Sequence, residues 1–368
     1  MKQLTLRQTG MILALSMVSV KFLVFPALTF RFAGINSYIS TLISFILDAI
    51  FIGMVAFVLF KFPNKTFKEI MAETYGIIVT KICYFVIFAY MSLKTLLIMK
   101  EAHTYFQDTL FENLTMTMFI IPIIVSSMYI ASKNLKTIGR TVELFFPLIA
   151  FGIILMMVIP ITKVDIFGIL PFMEQGFKPV ADSIGKTAFA YGDQMVLLLL
   201  IGNIKYDKEK PSKIFWYIGL TAALVIVMNI VFICLFGDTA IDQQLAVSEI
   251  PLHSTNPTTM GRLDWLTIMI WIITLLIQSG VFMFFAVEAF STFSGLGKGW
   301  SVGIVGTIIT IGLILLSLKL AQLIDLVINP IFVYIIIAVQ VIIPIMMFLA
   351  ALIKKKKRRA YEKAEENI

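Results

Sequence analysis

Apolar runs long enough to cross a lipid bilayer follow one another along almost the whole of this 368-residue chain, and no soluble fold can bury so many of them. A crossing helix needs about 20 consecutive, predominantly apolar residues. Runs of that order lie near 9–30, 37–60, 77–99, 115–131, 141–162, 186–203, 213–236, 263–291, 301–320 and 326–353. Hydrophobic residues make up 59% of the chain and charged ones 14%, against roughly 45–50% and about 25% in ordinary soluble domains. Hydrocarbon offers no partner to a free backbone N–H, so each run is expected to be a helix. The sequence therefore predicts an all-α, polytopic membrane protein with ten transmembrane helices, residues 1–368 forming a single transmembrane domain. Its connections are too short to hold a separate catalytic domain.

Charge sets the orientation. An even number of spans puts both termini on one side, and 21 of the 30 basic residues fall there, including Lys61, Lys65, Lys68, Lys133, Lys136 and Arg140. Lys94 and Lys100 are counted with the opposite, external side, as are His103 and His253. By the positive-inside rule both termini are cytoplasmic, and the net charge of +8 records orientation rather than an affinity for nucleic acid. The cluster Lys354 to Arg359 is expected to rest on anionic membrane lipid. The first apolar run is longer than a signal-peptide core and is read as a retained span. Cys83 and Cys234 sit inside apolar runs as packing residues, the two histidines lack a ligand partner at useful spacing, and no cofactor or metal is expected. Gly295-Leu296-Gly297-Lys298-Gly299 joins two spans with no strand before it, which reads as a turn and not a phosphate loop. With no nucleophile, base and orienting group at a recognisable spacing, an enzyme is not expected.

Two connections are longer than the rest. Residues 61–76 contain Thr66-Phe67-Lys68-Glu69, the spacing of a helix capping box, and residues 237–262 form the largest external loop. If the chain is two copies of five spans, these loops correspond and lie on opposite faces. Five is odd, so the second copy is inverted: repeat one covers about 9–162, repeat two about 186–353, and 354–368 is a basic cytoplasmic tail. In such folds the binding site lies near the membrane midplane between discontinuous helices at the start of each repeat. The alternative is two unrelated long loops.

Spans 1 and 6 carry residues that a membrane tolerates poorly. Lys21 sits near the centre of span 1, where lysine costs roughly 2.5–3.5 kcal/mol, and Pro26 follows, predicting local unwinding. Span 6 contains Ala190-Tyr191-Gly192-Asp193-Gln194, a flexible glycine beside a carboxylate. Together they suggest a zwitterion site, with Lys21 receiving a carboxylate and Asp193 an ammonium. The competing reading is an internal ion pair of Lys21 with Asp48 or with Asp193 that binds nothing. Tyr90 is a candidate wall residue, and Asp48 and Glu288 are candidate charge partners or proton-coupling groups. Glu143 and Glu288 lie near cytoplasmic ends, while Asn229, Gln278 and Gln340 read as hydrogen-bonding contacts between helices.

The order of these features resembles the spore-germination permeases, the B subunits of GerA-type germinant receptors, within the amino acid–polyamine–organocation superfamily. The likeness rests on Leu4-Thr5-Leu6-Arg7-Gln8 before span 1, Pro26 late in it, and Leu170-Pro171, Gly176 and Pro179 leading into Tyr191-Gly192-Asp193. It implies a LeuT-like 5+5 inverted repeat and a germinant pocket formed by Ser16, Ser19 and Lys21 from span 1 with Tyr191, Gly192 and Asp193 from span 6. It also implies residence in the inner membrane of bacterial spores, beside an A-type membrane subunit and a C-type lipoprotein subunit. Unlike many transporters of the superfamily, this chain has no glycine between Gly10 and Gly34. Three readings follow: a subunit that senses an amino acid or similar nutrient, a proton-coupled amino acid transporter, or a ligand-free membrane scaffold.

Overall fold

A computed structural model of the chain describes residues 4–62, 64–110, 115–173, 176–205, 212–243, 245–246, 249–250, 263–315 and 320–365. It is built almost wholly from helices: α1 (Leu6–Leu23), α2 (Phe25–Ala33), α3 (Ser37–Lys61), α4 (Phe67–Tyr75), α5 (Ile77–Thr109), α6 (Met116–Ser132) and α7 (Leu135–Val158). There follow α8 (Phe177–Lys186), α9 (Gln194–Leu200), α10 (Ser212–Phe236), α11 (Leu263–Ser294), α12 (Lys298–Leu315), α13 (Leu320–Val327) and α14 (Pro330–Glu365). Among the described residues, seven segments are long and apolar enough to cross a membrane, and spans 1, 4 and 6 contain shorter apolar helices. The outer faces carry exposed Ile78, Leu144, Trp300, Leu315 and Ile331, while lysines and carboxylates are buried inside. That inside-out distribution is what a bilayer solvent selects. His253 and most of the second long loop lie outside the described residues, as do the side chains of the basic tail.

Both expected breaks are present, and the start of span 6 differs from the expectation. Span 1 stays helical through Ser16 and Lys21 and is interrupted at Val24, between α1 and α2. Pro26 lies in the first turn of α2, where its missing N–H has no intrahelical partner to lose. Span 6 begins at Phe177 rather than 186, because its first half, α8, is amphipathic and carries Lys178, Asp182 and Lys186. A short 3-10 turn, Ala188–Ala190, then leads to the break at Tyr191-Gly192-Asp193 before α9.

Span 3 corrects the sequence reading most. As α5 it has 33 residues, about 50 Å at 1.5 Å per residue. It runs ten residues beyond the expected end at 99, so Lys94 lies near its middle, and the side chains of Lys100 and His103 are buried. The His103 ring packs edge-on against Phe119, 5.3 Å between centroids. Ahead of this helix, Thr66 and Glu69 complete the expected capping box of α4: Glu69 Oε2 accepts from Thr66 N at 2.7 Å, and Thr66 Oγ1 accepts from Glu69 N at 3.3 Å.

Two polar junctions tie the broken spans to the frame. Asn229 of α10 donates to Thr29 at 3.1 Å and Thr41 at 2.9 Å, and accepts from Ser37 at 3.0 Å. These bonds join span 7 to spans 1 and 2. Replacing Asn229 with alanine is expected to lower stability by about 1 kcal/mol, since Thr29 and Thr41 also donate to carbonyls of their own helices; denaturation of the purified protein measures it. On the other side, Leu4 and Ile204 form an isolated parallel bridge that links the segment before α1 to the segment after α9. Arg7 and Gln8 both reach Glu143 of α7, at 2.8 and 2.9 Å.

Candidate functional site

The interruption of span 6 exposes backbone groups in the middle of the protein, and side chains from four spans converge on it. Lys21, at the end of α1, is 1% exposed, and its ammonium donates to Asp193 Oδ2. Its Nζ also lies 4.6 Å from the centre of the Tyr191 ring and 5.1 Å from that of Phe45. Both distances suit cation–π attraction. Of the two internal pairings open to Lys21, the structure forms the one with Asp193.

A second lysine, which the sequence reading placed outside, completes the group. Lys94 Nζ stands 3.7 Å from Asp193 Oδ1 and donates to Ala190 O at 3.2 Å. Tyr90 lies one turn earlier on the same face of α5; its hydroxyl donates to Tyr191 O and accepts from Gln340 Nε2 at 3.0 Å. Gln340 also donates to Ala188 O at 2.8 Å, so span 10 and span 3 together satisfy carbonyls freed by the break. Asp48 of span 2 accepts from Gly192 N through Oδ1 at 3.1 Å. Two lysines and two aspartates are thus buried together with balanced charge, the arrangement that makes ionisable groups tolerable in a low-dielectric interior.

Gly192 is required here for a steric reason. Its φ is +88°, and a Cβ at this position would run into the Tyr90 hydroxyl and come within 2.8 Å of Gln340 Nε2. Tyr191, next to it, packs edge-on against Phe25 and Phe45, with centroids 5.6 and 5.3 Å away.

The remaining candidates divide. Ser16 is buried and donates to Leu13 O at 2.7 Å. Ser19 lies on α1, with its side chain outside the described residues. Glu288 does not join the group: its carboxylate pairs with Lys298 at 3.0 Å, beside a cavity of about 440 Å3 lined also by Asn134, Lys136 and Asn203. Lys94 was missed because it was judged by distance from the end of an apolar run. A helical stripe gives it away: Tyr90, Lys94, Glu101 and Tyr105 recur at intervals of 4, 7 and 4 on one face of α5. Glu101 and Tyr105 are buried, and among the described residues Glu101 Oε2 and the Tyr105 hydroxyl have no hydrogen-bond partner.

A sequence profile of the family described as Spore germination protein matches residues 3–322. Spore germination protein KB of Bacillus subtilis (strain 168) is 25% identical over 345 residues, covering 86% of this chain and 87% of the relative. Among solved structures, MhsT in complex with L-phenylalanine superposes with a TM-score of 0.66 at 14% identity, over 94% of this chain and 98% of that one. A manganese transporter mutant from Eremococcus coleocola superposes at 0.56 and 13% identity, over 95% of this chain and 85% of that one. At such low identity these structures speak for the fold alone, which is LeuT-like.

Proposed function

Since the chain belongs to the spore germination protein family, we propose that it is a permease-like, nutrient-sensing subunit of a spore germination receptor, with its ligand held at midplane between broken spans 1 and 6. The observation that carries this reading is the fully buried Lys21–Asp193 ion pair at the break of span 6. A small amino acid brings one charge of each sign. Inserted between the two side chains, its carboxylate replaces Asp193 as partner of Lys21, and its ammonium replaces Lys21 as partner of Asp193. No charge is left unpaired at the end of that exchange, so the desolvation penalty that opposes burial of a single ion does not accumulate. Ser16, Ser19, Tyr90, Tyr191 and Gly192 form the surrounding wall, and Asp48 holds the backbone of the break.

In this reading the two five-span repeats close around the ligand, and the energy that drives signalling is its differential affinity for the open and occluded states. The change passes to an A-type membrane subunit and a C-type lipoprotein subunit in the spore inner membrane, with both termini of this chain cytoplasmic. Saturable thermal stabilisation of the purified protein by one of the common amino acids is expected, and its absence across the whole set would favour a scaffold. Proteoliposomes containing the chain alone are expected to show no accumulation of that amino acid. Accumulation driven by a pH gradient would replace sensing with proton-coupled transport.

A further inference from the structure

Asp193 holds two lysines, whereas among the described residues Asp48 has no ion pair. Its single bond is to the Gly192 N–H through Oδ1; Oδ2 is buried and has no partner. An ionised carboxylate can accept several hydrogen bonds, and leaving that capacity unused inside a membrane protein is costly. Asp48 lies on the wall of a cavity of about 130 Å3 between spans 2, 6 and 10. One more wall residue shares its condition: Gln194 Oε1 is buried and has no hydrogen-bond partner, while the Ser44 hydroxyl on the same wall stands against the Tyr191 hydroxyl. Gln194 is oriented by its own amide, which donates to Gln340 O at 3.0 Å, leaving its carbonyl oxygen as an acceptor only.

Tyr191 and Gln340 also line it, and the far end of the wall is apolar, with Leu47, Phe51, Ile184, Ile337 and Val341. Leu47 is 44% exposed on the outer face of span 2, so the cavity reaches toward the membrane side of the bundle. Its polar end offers the free oxygens of Asp48 and Gln194 with the Ser44 hydroxyl beside them, which calls for a donor with several N–H groups, while its apolar end calls for a short hydrocarbon. We propose that the cavity bounded by Asp48, Ser44 and Gln194 is a binding site for a small primary ammonium compound, separate from the pocket between Lys21 and Asp193. Its volume is close to the roughly 150 Å3 of cavities that admit benzene, which sets the ligand at about five or six heavy atoms. A bound ammonium donates to Asp48 Oδ2 while Oδ1 holds the Gly192 N–H, and so acts on the break of span 6 without entering the central ion pair.

The test uses the purified full chain with n-butylammonium as probe, read as the midpoint of thermal denaturation. A saturable rise of about 3 °C or more at high excess is expected. 1-Butanol, tetramethylammonium and potassium chloride at equal concentration are expected to give none, because each lacks the charge, the N–H groups or the stem. Asp48→Asn is expected to remove the rise. Ile337→Trp, which fills the apolar end and leaves every polar group in place, is expected to remove it too and covers the case in which the first variant misfolds. An equal rise with the alcohol or with potassium, or a rise that survives Ile337→Trp, would overturn the site. The amino acid screen uses zwitterionic ligands, and Ile337 lies outside the pocket it probes, so either result stands without the other.

Discussion

Asp193→Asn is expected to destabilise the protein by about 3–5 kcal/mol, the loss seen when one partner of a buried ion pair is removed. The substitution keeps the shape but leaves Lys21 and Lys94 facing each other with only Asp48 to balance them. Lys21→Met should cost less than half as much, because Lys94 still stands 3.7 Å from Asp193. Adding Lys21→Met to Asp193→Asn should restore most of the lost stability, since one lysine and one aspartate then remain. Denaturation of the three variants in one detergent gives the comparison. If Asp193→Asn and Lys21→Met cost the same and their costs simply add, the four charges do not act as a balanced set.

Gly192→Ala is the second substitution with a large expected effect. A positive φ of +88° at a residue with a side chain costs about 1–3 kcal/mol. The new methyl must also displace Tyr90 or Gln340, the two groups that satisfy the carbonyls of Tyr191 and Ala188, and overpacking of this kind costs about 1–3 kcal/mol more. Gly76→Ala separates the two terms. Gly76 has nearly the same φ, +87°, with open space where the Cβ would go, so it carries the backbone strain alone. The Gly192 variant should therefore lose at least 1 kcal/mol more than the Gly76 variant. It should also lose amino acid binding, whereas Gly76→Ala should retain it.

Much of this architecture was legible because a bilayer punishes misplaced polarity so severely. Ten apolar runs gave ten spans, and Lys21, Asp48 and Asp193 stood out as charges in hydrocarbon. The errors have a common physical origin: the edge of an apolar run was taken as the edge of a helix. Span 6 starts nine residues before 186 because α8 keeps one apolar side while carrying Lys178, Asp182 and Lys186. Span 3 passes through Lys94, Lys100 and Glu101 because their charges face the interior or the end of a helix far longer than its apolar run. The stripe of Tyr90, Lys94, Glu101 and Tyr105 marks the inward face of α5, and the pairing with Asp193 places Lys94 in the central group. In span 1 the interruption at Val24 falls two residues before Pro26, as the proline led one to expect.

The exchange of a ligand zwitterion for the Lys21–Asp193 pair is tested most directly by equilibrium binding of the stabilising amino acid to wild-type protein and to Lys21→Met that is shown to be folded. The variant retains Lys94 as counter-ion for Asp193, so a loss of binding is not a loss of the fold. A fall in affinity of at least a hundredfold is expected. Unchanged affinity in Lys21→Met would contradict the exchange and leave the ion pair a structural element only.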